Sequence, residues 1–151
     1  MRILEVEAKF EKEETLNEVL EYLKEDFSKV DYWSGVRKAN LTDNPEEITQ
    51  ALNELSGCYS NLRTVLGIAD TELTNREVRQ YNVLKMEIEN NQQRFTSQLD
   101  SATKKESSDY VHSYRRIYNL IKGYVESCDK HINTLQSILK KWEKDYKNPQ
   151  G

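Results

Sequence analysis

From Ile48 to Leu73 the apolar residues fall at Ile48, Leu52, Leu55, Tyr59, Leu62, Leu66, Ala69 and Leu73. The steps alternate between four and three, the seam of a helix that packs lengthwise against another helix. Such a seam leaves a chain few options. Each helix buries one stripe, so the fold is a bundle or hairpin of long helices rather than a sheet covered on both faces. Composition agrees. Charged residues make up 32% of the 151 positions and hydrophobic residues 36%, with only two prolines and five glycines to interrupt helices.

The helix carrying this seam has a well-marked start. Asn44 precedes Pro45, Glu46 and Glu47, which supplies an N-cap, a proline at the first helical position and acids against the helix dipole. After Leu73 the next seam residue is Tyr81, and Leu84, Ile88, Asn91, Phe95 and Leu99 follow. That slip is a stutter, which locally unwinds a supercoil. Thr74 and Glu77 form a capping-box pattern, so a break at 70–75 is the alternative to the single helix expected here. "ATKKESSDY" supplies a turn near 102–108, where Ser107 or Ser108 caps a new helix. Tyr110, Tyr114, Ile117, Ile121, Tyr124, Cys128, Ile132, Leu135, Leu139, Trp142 and Tyr146 then make a second seam. Two such runs joined by a short loop form an antiparallel hairpin.

The first 44 residues read differently. Leu4, Val6, Ala8 and Phe10 alternate with charged residues, the period of a half-buried strand. A helix with Leu16, Val19, Leu20, Leu23 and Phe27 on one face follows. Around "DYWSGVRKANLTDNP" the period is lost, and a second short strand near Tyr32–Asn40 would pair with the first. The expected fold is therefore mainly α: a strand–helix (α+β) unit over 1–44, a long antiparallel, coiled-coil-like helical hairpin over 45–147, and a tail over 148–151. In that hairpin Ile48, Leu52, Leu55 and Tyr59 overhang the partner helix. They need cover from the N-terminal unit or from another subunit, so homo-oligomerisation is expected.

The chain carries little that reads as chemistry. His112 and His131 lie far apart with no metal-ligand spacing, so neither a metal nor a cofactor is expected. The glycines are isolated, and no phosphate-binding loop or nucleophile elbow occurs. Cys58 and Cys128 sit at apolar helical positions, as buried free thiols do. No signal peptide and no stretch long enough to cross a bilayer is present, so a cytoplasmic, non-enzymatic protein is expected.

What remains is binding. Residues 1–44 hold 7 cations against 11 anions, whereas 106–147 hold 8 against 6. Any polyanion surface therefore belongs to the last segment. Tyr110, Tyr114 and Tyr124 fall on the seam there. Arg115, Arg116, Lys122, Lys130, Lys140 and Lys141 lie off it and are the candidates for phosphate contact. Trp33, Arg37 and Lys38 form a second aromatic–basic cluster suited to stacking on single-stranded nucleic acid.

The segments "CYSNLRTVLGIADTELTNREVRQYNVLKMEIE" and "YVHSYRRIYNLIKGYVESCDKHINTLQSILKKWEKDY" resemble the UvsY-type recombination mediators of tailed phages. The resemblance spans Leu55 to Tyr146. It implies an oligomer in the host cytoplasm that binds single-stranded DNA and assists a recombinase. The alternative is a protein–protein interaction module, an assembly factor or an inhibitor of a host protein, that binds no nucleic acid.

Overall fold

The computed structural model describes residues 3–38 and 44–147, with the side chains of Arg37, Lys38 and Lys147 outside the description. The described residues form five α-helices and no strand: α1 Ile3–Phe10, α2 Leu16–Lys38, α3 Pro45–Asn90, α4 Ser97–Tyr110 and α5 His112–Lys147. A short 3-10 turn at Glu13–Thr15 joins α1 to α2.

The expected first strand is a helix. Only Val6 and Phe10 of the alternating set are buried, both fully, whereas Leu4 is 73% exposed and Ala8 is exposed too. Val6 and Phe10 are four apart, so one helical face carries both, and the alternation with charged residues was incidental. The second strand expected near Tyr32–Asn40 is helical through Lys38, and its last two positions lie outside the described residues. Helix α2 stays in register where the period seemed lost, because Val30, Trp33 and Val36 continue the buried face of Leu16, Val19 and Leu23.

Helix α3 runs unbroken through 70–75. Its start is as the sequence suggests: the Asn44 carboxamide oxygen accepts the Glu46 N–H at 3.0 Å. Its end comes earlier than expected. Gln92 is left-handed at φ 59°, the Gln93 N–H reaches the Ile88 carbonyl at 3.2 Å and the Gln92 N–H reaches Glu89 at 3.0 Å. This is a Schellman stop with glutamine where glycine is usual. The turn therefore occupies 91–96 rather than 102–108. Residues 102–108 lie inside α4, whose N-cap is Thr96, accepting the Leu99 N–H at 3.3 Å. Ser107 is no cap: it is buried, and its hydroxyl donates to the Thr103 carbonyl at 2.8 Å. Only Val111 separates α4 from α5.

Packing divides the chain into two compact units. One takes the residues up to Val19 together with Leu66–Leu120, and the other takes Leu20–Val65 together with the residues from Ile121 onward. The core of the first holds Val6, Phe10, Leu16, Val19, Ala69, Leu73, Val111, Tyr114 and Ile117. The Arg76 guanidinium donates to the carbonyls of Phe10 at 3.1 Å and Glu11 at 2.5 Å, holding the C-terminal end of α1, and it lies 4.4 Å from the centre of the Tyr114 ring.

In the second unit α2 and α3 run antiparallel, with Trp33 opposite Glu54 and Asp26 opposite Asn61. Ile48, Ala51, Leu55, Cys58, Leu62 and Val65 of α3 are buried there with Leu23, Val30, Trp33, Ile121, Val125, Cys128 and Leu135. Ile48, Leu55 and Leu62 belong to the expected seam. Ala51, Cys58 and Val65 replace Leu52, Tyr59 and Leu66 as its deepest companions, because an α3 flanked by two helices turns a wider stripe inward. The N-terminal stripe of α3 is thus covered within the chain. Of the two covers expected for the overhang, the N-terminal unit or another subunit, α2 of the N-terminal unit lies against it.

Candidate functional site

Among the described residues, no group of three or more His, Cys, Asp or Glu side chains is placed to hold a metal ion. His112 is exposed and His131 half-buried. Both cysteines are free and buried. Burial, reinforced by the Asp26 carboxylate, pushes the Cys58 thiol up to about 12. Burial, with the charges of Asp129 and Asp26, pushes Cys128 up to about 11. The Cys128 S–H donates to the Leu55 carbonyl at 3.1 Å. Thiols held neutral in this way are poor nucleophiles and poor metal ligands.

Described residues line a cleft in each unit. In the first unit, Glu77, Val78, Tyr81, Lys104 and Ser107 line about 270 Å³. The Tyr81 hydroxyl donates to Asp100 at 2.5 Å, a bond that raises the tyrosine pKa and lowers that of the carboxyl. In the second, Glu25, Ser28, Lys29, Tyr32, Gln50 and Glu54 line about 380 Å³ beside Trp33. Lys29 is held protonated by its hydrogen bond to Glu25, 3.1 Å away.

The residues singled out for nucleic-acid contact meet different fates. Trp33 is 3% exposed, and its ring N–H donates to the Glu54 carboxylate at 2.7 Å. It is a satisfied core residue and offers no stacking face. The side chains of Arg37 and Lys38 lie outside the described residues. Arg115 bridges Glu77 at 3.1 Å and Ser108 at 2.9 Å within the first unit. Arg116 is exposed. Lys122 is exposed and lies 4.0 Å from Glu126. Lys130, Lys140 and Lys141 are exposed along α5.

The tyrosines also separate. Tyr114 is buried, Tyr110 is 67% exposed, and Val111 takes the core position that Tyr110 was expected to fill. Tyr124 is half-buried in the second unit, stacked on Phe27 at 4.2 Å and donating to Asp31 at 2.9 Å.

Among the described residues, burial of the α5 seam falls off toward its end. Cys128 and Leu135 are buried, Leu139 is half-buried, Trp142 is 40% exposed and Tyr146 is 74% exposed. All five fall on one heptad stripe. The rings of Trp142 and Tyr146 stack on each other at 5.4 Å, nearly parallel at 8°. An aromatic pair held in this way presents a preformed apolar surface. The heptad sets Lys130, Lys140, Lys141 and Lys144 on the face of α5 away from that stripe. The sequence alone marked Trp142 and Tyr146 as seam residues. What it did not carry is their exposure.

Comparison with protein-family models, curated proteins and solved structures returned no match.

Proposed function

We propose that the chain is a non-enzymatic helical protein that works by docking another protein through the distal part of α5. One observation carries this reading: past Leu135, which is buried, the α5 seam continues to the exposed Trp142–Tyr146 stack. An aromatic anchor on an apolar helical stripe is the feature that helix-to-helix recognition uses. Of the residues expected to contact nucleic acid, Trp33 is buried and Arg115 is ion-paired with Glu77.

The test is affinity capture with the wild-type chain and with a Trp142→Ser/Tyr146→Ser variant, after circular dichroism has shown equal helicity. The reading expects partners bound by the wild type to be lost by the variant. Identical capture by both would end it.

A second reading rests on the lysines. Lys130, Lys140, Lys141 and Lys144 are all exposed, and the helical repeat gathers them on the outer face of α5, a row suited to a phosphate backbone. The resemblance to recombination mediators gives that reading its ligands, single-stranded DNA and a recombinase. Anisotropy of a labelled oligonucleotide decides it. Binding that falls steeply with salt supports this reading, and no binding at micromolar protein in about 50 mM salt removes it.

A further inference from the structure

Pairing preferences of helices are set by the residues flanking the seam. On distal α5, Leu135 and Trp142 occupy heptad position d, and Leu139 and Tyr146 occupy a. Glu143 then falls at e and Asp145 at g, one acid on each side of the exposed stack. Lys140, Lys141 and Lys144 fall at b, c and f, away from it. Glu143, Asp145 and all three lysines are exposed. The segment is rich in lysine, yet the residues that border its exposed aromatic stack are acidic.

From this segregation we infer that the occupant of distal α5 is an amphipathic helix whose own seam is flanked by lysine or arginine. The inference rests on the docking reading above and narrows it. A second copy of the chain is a poorer occupant of this stripe. In-register parallel pairing sets each g residue against the e′ residue of the next heptad, so Asp145 falls opposite a glutamine position and Glu143 opposite Ile138, and no opposite charges meet. Antiparallel pairing sets e against e′ and g against g′, so like charges meet, and such juxtaposition selects against a copy. The acids also border the Trp142–Tyr146 stack, which makes it unfavourable as a platform for nucleotide bases beside their phosphates. Two rings alone bury too little for a stable complex. The flanking charge pairs therefore contribute much of the selectivity.

The experiment uses the full chain and two labelled three-heptad peptides with the same leucine–isoleucine seam. One carries lysine and arginine at the flanking e and g positions, the other glutamate. At low salt the basic peptide is expected to bind about tenfold more tightly, the sum of a few surface pairs and relieved repulsions. Glu143→Lys with Asp145→Lys, both at exposed positions, is expected to reverse the order while leaving circular dichroism unchanged. Equal binding of the two peptides, or an unreversed order, overturns the charge inference and leaves the docking reading standing. Binding of neither peptide overturns both. Sedimentation that shows a wild-type dimer dispersed by Trp142→Ser/Tyr146→Ser also overturns the inference, because the occupant would then be a second copy.

Discussion

Arg76 ties one end of α1 to α3 at a single position. It satisfies two carbonyls at the helix terminus, sits over Tyr114 and lies 3.4 Å from Glu72. Arg76→Met keeps the stem and removes the donors. The expected loss is about 1–3 kcal/mol in urea unfolding, with faster amide exchange over residues 3–10. Unchanged exchange there would show that Val6 and Phe10 hold α1 unaided. The cysteines give a second residue-level expectation. An unfolded thiol loses its proton near 9.0, whereas Cys58 keeps its own to about 12 and Cys128 to about 11. Between those values the unfolded chain binds fewer protons, so stability is full below pH 9.0 and falls as the pH rises toward 12. Tyr114 and Tyr124, both raised first by burial, add to the same slope. Cys58→Ala and Cys128→Ala should flatten this decline in chemical denaturation measured from pH 8 to 11, even as each lowers the plateau. In the native protein neither thiol should react readily with an alkylating agent at neutral pH.

At the scale of elements, α1 shows where the sequence misleads. Four apolar residues alternate over Leu4–Phe10, and a strand and a helix claim different members of that set. The helix needs only Val6 and Phe10. Phe10→Ala is therefore expected to cost about 3–5 kcal/mol. Leu4→Gln should stay within about 0.5 kcal/mol. Comparable losses at both sites would favour the strand. The seam of α3 was legible because leucine and isoleucine at Ile48, Leu55 and Leu62 mark it plainly. Its other half was not, since Ala51 and Cys58 are small and their depth depends on a third helix that no local pattern announces. The turn at 91–96 was hidden for a similar reason. Gln92 takes a left-handed conformation that sequence assigns to glycine or asparagine, and the seam through Asn91 and Phe95 kept its phase across the stop. Gln92→Gly should relieve that strain and stabilise the chain by about 0.5–1 kcal/mol in thermal or urea melts. The candidate site was half legible: Trp142 and Tyr146 are conspicuous on the heptad, but their exposure depends on how far the covering helices extend.

For the whole molecule, the decisive fact is that each compact unit is assembled from separate stretches of chain. Ser113 donates to Glu13 across 100 residues, Tyr124 to Asp31 across 93, and Cys128 to Leu55 across 73. Helical proteins usually draw on near neighbours and fold fast, and contacts this distant in sequence slow folding. Stopped-flow refolding is expected to be slower than for a bundle of similar length with sequential contacts. A refolding time in the microsecond range would contradict this. The same fact bears on how the protein is made. A ribosome delivers the chain from its N-terminus, and Phe10, Leu23 and Leu55 emerge long before α5 is there to close over them. For most of its synthesis the nascent chain presents apolar helical faces with no cover of its own. No single cut in the gene releases either unit whole, so the two units cannot be separated by truncation.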